Sequence, residues 1–306
     1  MINYIIRRLL QMVPVLFGVT LLVFFLLRVS GDPVSLMLGE DATPEQIENM
    51  RHTMGLDLPL YVQYYHYMAG LLTGDFGTSI RYNNLSALDV VLERLPATAR
   101  LAGMALFFAV IISLPAGIIA AYWRSRIPDY IASFFSVLGQ AMPSFWLGIM
   151  LILVFGITLS WLPVSGSDQP GAVILPGLAL GAGLAGVLTR LLRSSLLDII
   201  NQDFIRTAYA KGLTPGVIIY RHVLRNSILS YITVIGLEAS ALMAGAVVTE
   251  QVFAWPGIGL LAIQAINSRD MAVVQTVVLL AALIVMLMNL LVDILYSIID
   301  PRIQHG

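Results

Sequence analysis

"LLQMVPVLFGVTLLVFFLL", Leu9–Leu27, runs for 19 residues without a charge, bracketed by Arg7, Arg8 and Arg28. As a helix rising 1.5 Å per residue it covers about 28 Å, close to the ~30 Å hydrocarbon layer of a bilayer. A secretory signal also begins with basic residues and an apolar run. This run is longer than a typical signal core, however, and "RVSGDP" (Arg28–Pro33) follows in place of a small-x-small cleavage site. The stretch is therefore read as a retained first membrane span.

The remaining chain points the same way. Of 306 residues, 58% are hydrophobic and 11% charged, whereas a soluble domain carries about 25% charged residues. A water-soluble globule of this size has too little interior to hide so much apolar surface, so lipid is the expected solvent. The absence of cysteine excludes disulfides, thiolate metal sites and a cysteine nucleophile. A net charge of −1 gives no reason to expect a nucleic-acid partner.

The fold class expected is an all-α integral membrane protein, one transmembrane domain over 1–306 with six spans near 9–28, 101–123, 130–160, 172–190, 227–249 and 271–293. The third is interrupted by "GQAMPS" (Gly139–Ser144), where Pro143 removes a backbone donor and turns Met142 away from helical geometry. It reads as one kinked helix rather than two short ones. With the amino terminus inside, the inner segments hold Arg7, Arg8, Arg124, Arg126, Arg190, Arg193, Arg206, Lys211, Arg221, Arg225 and Arg302, and the two short outer loops hold only Arg269. Positive charge stays cytoplasmic, so both termini are placed inside.

Residues 29–99 form an extracytoplasmic helical insertion. Thr43, Pro44 and Gln46 read as N-cap, N1 and N3 of a helix ending at Gly55. Four tyrosines between Tyr61 and Tyr67 suit a helix at headgroup level. "SALDVVLERLP" has Ser86 and Asp89 in capping-box spacing and is expected to stop before Pro96. Trp255-Pro256-Gly257 opens a short amphipathic helix in the second outer loop, read as a staple between spans five and six ahead of an outer gate.

The inner loop 196–226 concentrates the remaining charge, with Arg206, Lys211, Arg221, His222 and Arg225 around a Gly-Leu-Thr-Pro-Gly turn. Asp203 is expected to cap a helix Phe204–Lys211, Gly212 to end it in left-handed geometry, and Thr214 and Pro215 to start the next helix. Two roles stay open on these residues alone. The loop is held at anionic lipid by its charges, each worth ~1 kcal/mol near the surface, or its small residues Thr207, Ala208 and Ala210 form a knob that inserts into a cytoplasmic partner.

Candidate path residues follow from polarity at membrane depth. Glu238 lies near the middle of span five, where a carboxylate faces a partner or a wet cavity or stays as a buried structural acid. Gln140, Met142 and Pro143 sit at the break in span three, where freed backbone groups can meet a solute. Gly236, Ser240 and Ala244, and the "GLALGAGLAG" run (Gly177–Gly186), have the spacing of close helix packing. No ATP site is present: a phosphate loop needs Gly-Lys followed by Ser or Thr, and the only lysine, Lys211, precedes Gly212. Nor does any histidine stand at membrane depth to support a hydrolase; His52 and His66 lie in the insertion, His222 in the inner loop and His305 at the end.

At this point a family resemblance adds its weight. "RTAYAKG" with the later "HVLRN" resembles the coupling loop of bacterial ABC-importer permeases, Glu-Ala-Ala, three residues, Gly, nine residues, Ile-x-Leu-Pro. Gly212 and Leu224 match that pattern, while Arg206 replaces its Glu, Thr207 its first Ala, His222 its Ile and Arg225 its Pro. The opening "MINYIIRRLLQMVPVLFGVTLLVFFLLRVSGDP", with "YVQYYHYMAGLLTGDFGTSI", "GQAMPSFWLGIMLI", "FAWPGIGLLAIQAINSRD" and "NLLVDILYSIIDPRI", is similar to the first permease subunit of the dipeptide/oligopeptide/nickel ABC importers. The resemblance implies the type I importer permease fold in the bacterial inner membrane. It also implies a second related permease subunit, two cytoplasmic ATPase subunits that bind ATP and Mg, and an extracytoplasmic substrate-binding protein. This chain would hold no cofactor or metal and catalyse nothing. Carried over by position, Arg206, Thr207, Ala208, Tyr209, Ala210, Lys211, Gly212 and Leu213 form the ATPase-coupling elbow. The alternative function is a proton-coupled secondary transporter using Glu238.

Overall fold

The computed structural model describes residues 2–29, 34, 43–53 and 55–299. Ser30–Pro33 of the first turn, Arg302 and His305 lie outside the described residues. The described residues form no named strand, only an isolated bridge between Thr78 and Ser86.

Four helices are long and apolar enough to cross a bilayer alone. They are α1 (Ile2–Val29), α4 (Ala87–Tyr122), α7 (Ile174–Ile200) and α12 (Met271–Ile299). Two bent pairs bring the total to six if each pair is one span. Between α1 and α4 come α2 (Pro44–Thr53) and α3 (Leu60–Thr73). The first bent pair is α5 (Ile127–Ala141) with α6 (Ser144–Leu151), the latter continuing as a π-helical stretch, Ile152–Thr158. After α7, the short α8 (Asp203–Ala210) precedes a turn of helix at Pro215–Val217. That turn runs through a second π stretch, Ile218–Val223, into α9 (Leu224–Met243). Two short helices, α10 (Val247–Val252) and α11 (Ile258–Asn267), then lead to α12.

Several boundaries differ from expectation, among them that of α7, expected to end near 190 and running on to Ile200. The helix begun near Ser86 does not stop at Pro96 but continues as the 36-residue α4. A mid-helix proline costs ~3 kcal/mol, yet Val90, Val91, Ala97 and Leu101 are all buried along one uninterrupted run, and that burial outweighs the missing bond. Ser86 is the N-cap but its side chain makes no capping bond. Span three is not one kinked helix: α5 and α6 meet at 103°, with Pro143 as N-cap of α6. The helix of span five ends at Met243 rather than 249; the chain turns at Ala244–Gly245, and residues 247–252 form the separate α10.

Helix α7 is the centre of the bundle, packing most extensively on α4 and also on α5, α6 and α9. Its glycines explain how. A Cβ on Gly186 would stand 2.3 Å from the Ser136 carbonyl oxygen, and one on Gly181 2.6 Å from that of Ala105. Backbone meets backbone here, so only glycine fits. Gly186→Ala is expected to cost about 1–3 kcal/mol through overpacking. A fall in the unfolding midpoint of the detergent-solubilised protein would show it, against Gly18→Ala, where nothing lies within 4 Å.

The outer elements are anchored, not loose. Thr43 and Gln46 form the expected reciprocal capping box, 3.3 and 2.9 Å. On α3, Tyr64 meets the Thr20 hydroxyl of α1 at 2.9 Å, with its ring against Phe17 and Phe24. At the opposite end, Arg8 Nε pairs with Asp293 Oδ2 at 3.0 Å and ties α1 to α12.

Candidate functional site

The inner elbow is built from α8 outward. Gln202, in extended geometry, is the N-cap, and Asp203 is the first helical residue rather than the cap expected. Asp203 instead makes an exposed 3.4 Å pair with Arg206. Lys211 is the C-cap, one residue past the helix. Gly212 then turns with φ +78°, its N–H donating to Tyr209 O at 2.9 Å, while the Leu213 N–H donates to Ala208 O at 3.3 Å. That left-handed geometry is the one glycine adopts without strain.

Two side chains hold α8 in place. Ile205 is 0% and Ala208 6% exposed, packed with Leu188, Leu192, Leu196, Ile218, Val223 and Tyr231. Ala208 therefore faces the bundle. The outward strip is Arg206, Thr207, Ala210, Lys211, Gly212 and Leu213. Tyr209, four residues after Ile205, does not share its burial: it is 49% exposed and lines a cleft of about 230 Å³ with Tyr122, Arg124 and Asn201. This clip joins the elbow to the end of α7, the helix on which most others pack.

At the α5–α6 break Met142 alone of the three candidates lines a cavity of about 610 Å³, with Phe135, Gly139, Leu178, Gly186 and Thr189, while Gln140 and Pro143 are not among its lining residues. Glu238 is not brought to this break. It is half-buried on α9, whose main neighbours are α12, α7 and α4, and no ion pair forms with it among the described residues.

Two acidic anchors escaped the sequence reading. Asp129, 3% exposed, accepts from Arg193 Nε at 2.6 Å, Arg193 Nη2 at 2.8 Å and the Ser125 N–H at 2.8 Å, locking the start of α5 to α7. The only signal was an acid in the first turn of a helix opening with proline. Glu250, assigned to an outer loop, is fully buried. It accepts from Thr98 Oγ1 at 3.0 Å and from the Leu260 N–H at 2.9 Å, while Thr98 Oγ1 accepts from the Ile258 N–H at 2.9 Å. Trp255 Nε1 donates to Ala97 O at 2.9 Å. A Cβ on Gly257 would stand 2.3 Å from Glu250 Oε1, so the Trp-Pro-Gly turn leaves room for this carboxylate. The staple is a hydrogen-bonded lock between α4 and α11, extended by Asp270, which accepts from Ser79 Oγ and the Arg81 N–H.

Burial pushes the Glu250 carboxyl above the usual carboxylate range, against the lowering effect of the Leu260, Thr98 and Gly259 hydrogen bonds. With the folded pKa raised, the folded state holds more protons than the unfolded one, so stability falls as pH climbs from about 4.5 to the raised value. Glu250→Gln is expected to flatten that part of a stability–pH curve; an unchanged slope would remove Glu250 as its source.

The described residues thus form a bundle of apolar helices in close contact through glycines, with an exposed elbow after α7. The chain belongs to the family of binding-protein-dependent transport system inner membrane components, residues 113–305 matching that family and residues 1–102 its N-terminal domain. It is a non-catalytic ABC-importer permease subunit of the inner membrane. The chain is 42% identical over 306 residues to the glutathione transport system permease protein of Escherichia coli strain K12, with all of both chains covered. It is 40% identical, again over all of both, to the dipeptide transport system permease protein of Alkalihalophilus pseudofirmus. The fold is that of the methionine ABC transporter MetNI in an inward-facing form, with TM-score 0.57 and 19% identity over 69% of this chain and 96% of that one. An amino acid ABC transporter gives TM-score 0.52 and 16% identity over 70% and 94%. The proton-coupled alternative built on Glu238 is set aside by this family membership.

Proposed function

We propose that this permease subunit imports small peptides or peptide-like solutes, as one half of a path completed by a second, related permease subunit. Dipeptide and glutathione, the solutes named for its relatives, motivate that class. An external substrate-binding protein delivers the solute, and two cytoplasmic ATPase subunits hold ATP and Mg. The division of the chain follows: residues 29–99 face outward toward the binding protein, and residues 196–226 face the ATPases.

The observation that carries this reading is the elbow. An ATPase gripping Arg206, Thr207, Ala210 and Lys211 pulls on α8, and α8 cannot move alone because Ile205 and Ala208 sit in the core around the end of α7. Displacement passes into α7 and then into α4 and α5 through contacts too tight to slip. The 103° break at Met142–Pro143 bends where α5 and α6 meet and serves as the point at which the path opens or closes.

The test is to purify the tagged chain from its own membrane, identify its companions and assay substrate-stimulated ATP hydrolysis. Ala210→Trp is expected to leave insertion intact and strip the ATPase subunits from the preparation. Unchanged co-purification would overturn the elbow as the ATPase contact. Uptake into vesicles by this chain alone, without an ATPase, would overturn the whole mechanism.

A further inference from the structure

A buried donor without an acceptor stands beside a cation without an anion. On α5, the Gln140 Oε1 accepts from Arg190 Nη2 of α7, while Gln140 Nε2 is buried and finds no partner among the described residues. A buried unsatisfied amide is costly and calls for an explanation. Arg190 is exposed, and no carboxylate lies within pairing distance of it among the described residues. The contrast with Arg193, one turn further along, is direct: that guanidinium is held bidentately by Asp129.

Location gives the pair its meaning. Gly139 and Thr189, their immediate chain neighbours, both line the cavity of about 610 Å³, as does Gly186, over which the Gln140 stem lies. The described cavity walls are otherwise almost entirely apolar. Neither side chain lines the cavity itself, but an uncompensated guanidinium hydrogen-bonded to an amide with a spare N–H, beside an apolar chamber, has the donors to recognise a planar anion: the guanidinium fork supplies parallel donors, and the amide a further one once it is uncovered. Arg190 lies in the second half of α7, ten residues before its end at Ile200, on the side that the distribution of positive charge assigns to the cytoplasm.

We propose that Arg190 and Gln140 form a receptor for the free carboxylate of the transported peptide in the inner half of the path, which rests on the reading of the α5–α6 break as path-lining. Arg190 supplies the charge. Gln140 orients the guanidinium through its carbonyl oxygen and turns its N–H toward the carboxylate when α5 shifts against α7. Neutral solutes of the same size lack this hold.

The test uses the complete permease–ATPase complex in nanodiscs, without binding protein, and equilibrium binding of alanylalanine and its C-terminal amide. Wild-type complex is expected to prefer alanylalanine by about tenfold, the scale of one charge-assisted contact. Arg190→Gln brings the ratio close to one, and Arg190→Lys keeps part of the preference. Gln140→Glu, which pairs with Arg190 internally, abolishes it while maintaining assembly. A wild-type complex that does not distinguish the two ligands, or binds neither, overturns the receptor, as does a preference unaffected by Arg190→Gln. The underlying reading is checked separately with Met142→Cys, clean in a chain without cysteine. Reaction with an impermeant maleimide that changes on ATP trapping upholds the path at the break, so a lost ligand preference then counts against the receptor alone. A thiol at that position that never reacts overturns both.

Discussion

Ala208→Glu will unfold the inner elbow, whereas Ala210→Glu, two residues on, will leave the protein's stability almost untouched. Ala208 is buried in an apolar cluster with Leu192, Leu196 and Ile218. An added carboxylate must be protonated, remain unpaired or force α8 away from the core. A cost on the order of 3–5 kcal/mol follows, comparable with a large part of a typical domain's total stability. Ala210 faces solvent, and an exposed substitution changes stability by about 0.5 kcal/mol or less. Unfolding of the two detergent-solubilised variants, followed by tryptophan fluorescence, separates the cases. At Ala210 the expected damage is instead to ATPase attachment, because the added charge faces the gripping surface. Equal midpoints for the two variants would show that Ala208 is not an anchor.

Asp129→Ala should destabilise the inner half of the bundle by about 3 kcal/mol, the lower part of the range for breaking a buried pair, since the Arg193 side chain keeps 30% exposure. The loss has two sources. Arg193 remains partly desolvated without its bidentate partner, and the Ser125 N–H loses its acceptor in a turn where Ser125 has φ +60°. Removing both charges together, Asp129→Ala with Arg193→Leu, should restore most of the loss, since no stranded guanidinium is left behind. The coupling energy from this double-mutant cycle is the diagnostic quantity. A single-mutant effect below about 0.5 kcal/mol would place Asp129 among ordinary surface acids.

The same physics explains which parts of the site were readable in the chain. Thr43, Pro44 and Gln46 predict their capping box because the partners are three residues apart and need no distant contact. Gly212 predicts its left-handed turn for the same reason. Asp203 fails as a cap although its type and position suit one, because the chain enters α8 one residue earlier, at Gln202. The inward aim of Ala208 was also out of reach: small residues on a short helix suit either a partner or a core, and the choice rests on where the end of α7 and the Ile218 turn lie. Glu250 is the plainest case. An acid in an outer loop reads as solvated until Thr98, 152 positions away in sequence, is placed against it.

Composition and the lengths of apolar runs were enough to establish a helical membrane bundle, because a lipid solvent requires every backbone group to be satisfied internally, and uninterrupted apolar runs of about 20 residues do so as helices, not as the short alternating strands of a barrel. Local pattern also located the left-handed turn at Gly212 that ends α8. Tertiary structure alone decided the 103° angle at Pro143, the passage of α4 through Pro96 and the pairing of Asp129 with Arg193. It also decided that Gln140 and Arg190 stand together. Each depends on which helices approach one another and how closely, and that distance is governed by glycines and buried polar groups far apart along the chain.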